Sequence, residues 1–109
     1  MATVDQRYDE AIDLQQAGNV EEAIGKLEAL AAEYPDYALA HSALAVFYGQ
    51  LGRHDEAIER ARKVCTLEPD DPFSYIALSL LAQRAGQLPV AEDALAAAAQ
   101  KQWAANQGG

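Results

Sequence analysis

Three glycines, Gly18, Gly52 and Gly86, stand 34 residues apart, and the residues around them repeat in the same frame. Each lies in a similar string: Gln16-Ala17-Gly18-Asn19, Gln50-Leu51-Gly52-Arg53 and Arg84-Ala85-Gly86-Gln87. Five residues further on come Ala23, Ala57 and Ala91, and four beyond those Leu27, Ala61 and Leu95. Pro35 and Pro69 share the period, and each is followed by an aspartate. A fixed period of this length means one supersecondary unit used repeatedly, each copy burying its apolar face against the next. Glycine takes a positive φ at no steric cost, so it ends one helix and turns the chain. Alanine in the following helix lets two antiparallel helices approach closely. The proline stops that helix, and the aspartates beside it are placed to cap the next one. Asp71-Pro72 has the order of an N-cap followed by a proline at the first helical position. The unit is a helix hairpin, present three times over about 4–37, 38–71 and 72–105. Helices are expected at about 4–17, 20–34, 37–51, 54–67, 71–85 and 88–102.

Composition agrees with an all-α chain. Half of the 109 residues are hydrophobic and 23% are charged, which suits a packed core rather than a disordered chain. Helix formers dominate between the turn signals, and no run alternates apolar and polar residues as a half-buried strand would. The length fits one domain over 1–109. With 17 acids against 8 bases the net charge is −9, which argues against nucleic-acid backbones and anionic membranes as partners. No apolar stretch approaches the roughly 18–20 residues that span a bilayer. The N-terminal residues lack the basic and apolar regions of a secretory signal. Cys65 is the single cysteine, so neither an internal disulfide nor a multi-cysteine metal site can form. A cytoplasmic location is expected.

The period and its pattern resemble the tetratricopeptide repeat (TPR) family over nearly the whole chain. Repeat two carries the pattern best, with His41-x2-Leu44-Ala45-x2-Tyr48, Gly52, Ala57-x3-Ala61 and Pro69. Repeat three follows with Tyr75-x2-Leu78-Ser79-x2-Ala82, Gly86 and Ala91-x3-Leu95, and Trp103 stands at its closing proline. Repeat one has Arg7 and Glu10 at positions where the family prefers large apolar residues, as expected of a terminal repeat. The resemblance implies three hairpins stacked into a right-handed superhelix, the first helix of each lining the concave face. It also implies a protein–protein interaction module.

The chain shows no pattern that chemistry would need. No phosphate-binding loop is present, since Gly49-Gln50-Leu51-Gly52 lacks its Lys-Ser/Thr partner. His41 and His54 fall in different helices without metal-ligand spacing. His41 reads as the large residue of its repeat, His54 as a solvated residue at a helix start, and Cys65 as a small buried hydrophobe. Glu21-Glu22, Asp55-Glu56 and Glu92-Asp93 all occupy the first turn of a second helix, where they complement the helix dipole. The chain is therefore expected to be neither an enzyme nor dependent on a cofactor or metal.

Charge falls unevenly along the chain. Repeat one holds 9 acids and 2 bases, repeat two 6 and 4, and repeat three 2 and 2. Asp5, Asp9 and Asp13 recur every four residues along one side of the first helix. Carried over from the family position by position, the ligand-facing residues are Asp5, Leu39 and Phe73; Tyr8, Ser42 and Ile76; Asp9, Ala43 and Ala77; and Ile12, Val46 and Leu80. Gln50 and Arg84 lie at the far edge with Gln16. The Lys, Asn and Arg clamp with which one TPR subclass holds a terminal carboxylate is replaced by Tyr8, Ile12, Ala43, Phe73 and Ala77. The implied ligand is a peptide or helical segment of a protein, apolar and carrying Lys or Arg at the end that meets the acidic rim. The alternative for Phe73, Ile76 and Leu80 is that the superhelical pitch buries them as core, and the binding surface is the favoured reading. Two rival readings stay open: a self-associating scaffold, or a non-catalytic regulatory module of a larger enzyme complex. TPR arrays usually end in an extra solvating helix, and none follows Trp103 here. A weak homodimer through the last helix, with Val90, Ala94, Leu95, Ala98 and Trp103, is therefore expected.

Overall fold

The computed structural model describes residues 2–108 and consists of six α-helices. These are α1 (Val4–Gln16), α2 (Val20–Glu33), α3 (Ala38–Gln50), α4 (His54–Leu67), α5 (Pro72–Arg84) and α6 (Leu88–Gly108). No strand occurs among the described residues. Helices adjacent in sequence pack on one another throughout, so three hairpins stack in chain order.

The hairpin turns are the 34-residue glycines. Gly18, Gly52 and Gly86 have φ of 92°, 75° and 75°, and no other described residue has a positive φ. Each turn closes the same two bonds. The glycine N–H donates to the carbonyl three residues back, and the next N–H reaches back five, from Asn19 to Leu14, Arg53 to Tyr48 and Gln87 to Ala82, at 2.8–2.9 Å. This pairing satisfies the last carbonyls of each first helix. The alanines behave as the spacing requires: Ala23, Ala57 and Ala91 are all buried where the two helices of a hairpin meet.

Entry into the first helices is less uniform. Asp71 caps α5 by accepting from the Phe73 N–H at 3.0 Å, with Pro72 at the first helical position. Thr3 and Gln6 form a reciprocal capping box on α1. Contrary to expectation, Asp36 caps nothing. Tyr37 takes the N-cap position of α3 without a side-chain bond. The last helix also departs from expectation by running to Gly108 rather than ending near 102. Trp103 stands where Pro35 and Pro69 end the second helices of the earlier repeats, and a tryptophan leaves the i→i−4 ladder intact.

The core runs along the stack through Ala11, Leu27, Leu30, Leu44 and Ala45 into Leu78 and Leu81. At the first repeat, Arg7 and Glu10 turn outward and pair with Glu33 and Lys26 on α2. Polar residues thus replace apolar ones on the end hairpin without burying a charge.

Candidate functional site

A groove of about 570 Å³ opens between α3 and α5. Leu39, Ser42, Val46 and Gln50 form one wall, one helical turn apart. Phe73, Ala77, Leu80 and Arg84 form the other, and Ala61 and Val64 of α4 make the floor. The spacing follows from helix geometry, because residues three and four apart share a face. Leu39 is 50% exposed, Val46 51%, Phe73 72% and Leu80 51%. These are four of the nine large hydrophobic side chains left exposed among the described residues. Large apolar groups in one concavity mark a contact surface more often than isolated ones do.

Of the fifteen residues named from the sequence, eight line this groove: Leu39, Ser42, Val46, Gln50, Phe73, Ala77, Leu80 and Arg84. Ala43 is buried in the core. Ile76 is half-buried and lies outside the lining. The five from α1, Asp5, Tyr8, Asp9, Ile12 and Gln16, are not brought into it. Tyr8 and Ile12 pack half-buried against the core, and the Tyr8 ring meets Tyr37 edge-on at 6.1 Å. Asp9 is exposed beyond the lining. Asp5 accepts a hydrogen bond from the Tyr37 hydroxyl at 2.8 Å. Burial, and then that bond, push the Tyr37 phenol up to about 12. The first helix therefore spends Asp5 and Tyr8 on holding α3.

Two carboxylates reach the groove that were not singled out as ligand-facing. Glu68 and Asp71 line its end beside Leu39 and Phe73. Asp71 reads from sequence only as a cap, which it also is; that it faces the groove depends on how the α4–α5 link lies across the stack. At the other end stands Arg84, which forms no ion pair among the described residues. The groove is thus apolar along its length, acidic at one end and basic at the other.

Behind the groove a polar network ties α2, α3 and α4. Arg60 donates to Glu28 at 2.6 Å and to His41 Nδ1 at 3.1 Å. A guanidinium only donates, so His41 Nδ1 accepts and its Nε2–H donates to the Pro35 carbonyl at 2.8 Å. Tyr48 donates to the second Glu28 oxygen at 2.9 Å, and the Arg53 guanidinium lies over the Tyr48 ring at 4.7 Å. His41 is buried, as its place in the repeat requires. His54 is not the solvated residue expected: it is half-buried, and its Nδ1 is enclosed without a partner. Cys65 is buried, and burial pushes its thiol up, away from the thiolate that reactivity needs. Among the described residues no cluster of metal-ligating side chains forms. Among the described residues no helix is long and apolar enough to cross a membrane.

A family model described as tetratricopeptide repeat matches residues 8–72, more than half of the chain. The chain belongs to the tetratricopeptide repeat family. Among curated proteins none matches it. Among solved structures it resembles the crystal structure of MamA at a TM-score of 0.86 and 23% identity, covering 96% of this chain and 61% of that one. The Yersinia enterocolitica type III secretion translocator chaperone SycD, in an alternative dimer, matches at 0.80 and 22%, covering 91% and 75%. The second TPR of Spaghetti (RPAP3), bound to the HSP90 peptide SRMEEVD, matches at 0.78 and 16%, covering 89% and 90%. The chain spans 61% and 55% of the two MamA chains it matches. At these identities the likeness establishes the fold: an all-α stack of three TPR hairpins in the superhelical arrangement of such arrays.

Proposed function

We propose that the chain is a protein-interaction module, not a catalyst, that acts in the cytoplasm and takes a peptide or helical segment of another protein in the groove between α3 and α5. The observation that carries the reading is the clustering of Leu39, Val46, Phe73 and Leu80, each half or more exposed, in one concavity. Covering such side chains contributes roughly 1–2 kcal/mol each, given roughly 1.5–3 kcal/mol for full burial. A stable interface needs several of them together. The occupant carries apolar anchors one helical turn or one extended dipeptide apart. Its Lys or Arg lies toward Glu68 and Asp71. Its acidic or carboxylate end lies toward Arg84. Exposed ion pairs add only about 0–1 kcal/mol each, so the apolar contacts set affinity and the charges set orientation and association rate. The matched structure of the second TPR of Spaghetti (RPAP3), which is bound to an HSP90 peptide, supports this reading.

The test is selection of peptides from a random displayed library on the full chain, followed by binding of the enriched sequences to variants. Leu80→Asp should reduce binding at least tenfold while the helical circular dichroism is unchanged, because Leu80 is half exposed. Glu68→Gln should weaken binding mainly at low salt. Enriched peptides that bind Leu80→Asp as well as the parent chain would refute the groove.

A further inference from the structure

The chain is acidic, yet two of its bases stand side by side without a carboxylate. Of the 8 lysines and arginines, Arg7, Lys26, Arg53, Arg60 and Lys101 each reach an acid. Among the described residues Arg62, Lys63 and Arg84 form no ion pair. Arg84 belongs to the groove. Arg62 and Lys63 line a second, smaller depression of about 300 Å³ together with His41, Glu59, Arg60 and Thr66. At 3.6 residues per turn, its α4 residues lie on the side of the helix opposite Ala61 and Val64, which face the groove.

The repeat does not require bases there. The positions of Glu59, Arg62, Lys63 and Thr66 hold Gly25, Glu28, Ala29 and Ala32 on α2, and Asp93, Ala96, Ala97 and Gln100 on α6. Glu28 is the carboxylate that Arg60 holds across the first joint. One repeat on, the corresponding pair is Arg62 and Ala94, so stacking leaves Arg62 without an acid. The donors of the depression are its bases. His41 has both ring nitrogens bonded, and Thr66 gives its hydroxyl proton to the Arg62 carbonyl. Arg60 spends one N–H on Glu28 and one on His41, and its remaining N–H groups stay free to donate. Glu28 balances Arg60, while Arg62 and Lys63 together outweigh Glu59.

We propose that this outer face of α4 docks an acidic segment of a partner protein whose carboxylates are spread along it. Two features select that occupant. Arg60 and Arg62 stand about 160° apart around the helix axis, so they do not converge on a single phosphate, whereas neighbouring carboxylates of a segment laid across the helix reach both. A short segment also senses only charges within about 10 Å at 0.1 M salt. A membrane or a nucleic acid would in addition meet the surplus acids of the first repeat. Guanidinium groups pair with carboxylates through two parallel N–H···O bonds, and each such pair is weak when exposed. The contact is accordingly weak, salt-sensitive and independent of what occupies the groove.

The test titrates a short peptide of alternating glutamate and glycine onto the isotope-labelled full chain and follows amide chemical shifts. At about 20 mM salt the shifts should centre on Glu59, Arg60, Arg62, Lys63 and Thr66 with a Kd of about 1 mM, and binding should weaken several-fold at about 300 mM salt. The same peptide with glutamine in place of glutamate should not bind. Arg62→Gln combined with Lys63→Gln should weaken binding about fivefold with an unchanged helical signal and urea midpoint, and Glu59→Gln should tighten it about twofold. Arg84→Gln should bind like the parent. Absence of binding at low salt, shifts centred on Leu39, Phe73 and Arg84, equal binding by the double variant, or loss with Arg84→Gln would overturn the proposal. Tighter binding of a peptide with a single phosphoserine, or of phosphatidylserine vesicles, would assign the face to a phosphate or to a membrane and overturn it as well.

Discussion

Arg60 on α4 reaches past α3 to Glu28 on α2, with its Nη2 2.6 Å from Glu28 Oε2. The two residues are 32 apart in sequence and belong to different repeats. The same carboxylate accepts from Tyr48, and the same guanidinium from Arg60 donates to His41, so one ion pair locks the first two hairpins together.

Removing Arg60 should therefore cost more than removing a solvated arginine. Hydrogen bonds to charged groups contribute about 1.5–3 kcal/mol, and this pair is about a quarter to a third exposed, which lowers the figure. Arg60→Ala should destabilise the chain by about 1–2 kcal/mol in urea unfolding, with Arg62→Ala within about 0.5 kcal/mol of the parent. A double-mutant cycle with Glu28→Ala should give a coupling near 1 kcal/mol. Additivity of the two single changes would show that the contact carries no energy.

Gly52 and Gly25 respond oppositely to a side chain. Gly52 has a φ of 75° with nothing near its missing Cβ, so Gly52→Ala should cost about 1–2 kcal/mol from backbone strain alone. Gly25 sits inside α2 with helical geometry, exposed and with free space at the same point. Gly25→Ala should stabilise by about 0.5–1 kcal/mol. Chemical unfolding of the two variants checks the opposite signs.

Alkaline pH should loosen the stack. Burial, and then the bond to Glu28, push the Tyr48 phenol up to about 12, and Tyr37 is raised similarly by burial and Asp5. A phenol whose folded value exceeds its unfolded value of 10.0 favours the fold fully below pH 10. That contribution declines as pH rises from 10 toward 12. The melting temperature should fall across that window. Tyr48→Phe should lower it at pH 8 and flatten the alkaline decline, which a thermal scan at several pH values reads directly.

Much of this fold is written in short-range sequence. The three positive-φ glycines, the buried alanines at Ala23, Ala57 and Ala91, and the Asp71-Pro72 start each act within a few residues, so their spacing announces the hairpins. The groove walls are legible only through the family resemblance, which implies a concave face at the positions of Leu39, Val46, Phe73 and Leu80. What the sequence conceals is set by the stacking between repeats. Arg60 and Glu28 look like solvated charges until α2 and α4 are brought together. Asp5 looks like a free rim acid until Tyr37 reaches it. Glu68 and Asp71 look like link and cap until the link crosses the groove mouth. Trp103 marks a missing stop, and the helix it fails to end runs on to Gly108.

A core change calibrates these surface effects. Leu44 is fully buried in α3, and Leu44→Ala should cost about 2–5 kcal/mol by removing apolar contact and leaving a cavity. A loss below about 1 kcal/mol in urea unfolding would mean that the hairpins pack less tightly than this.

The proposed binding role is tested most directly by amide chemical-shift mapping of a library-selected peptide titrated onto the isotope-labelled full chain. The proposal predicts that the largest shifts cluster on Leu39, Ser42, Val46, Phe73, Ala77 and Leu80, and that Glu68 and Arg84 respond at opposite ends. Shifts confined to α6, or to the outer faces of α1 and α2, would contradict it.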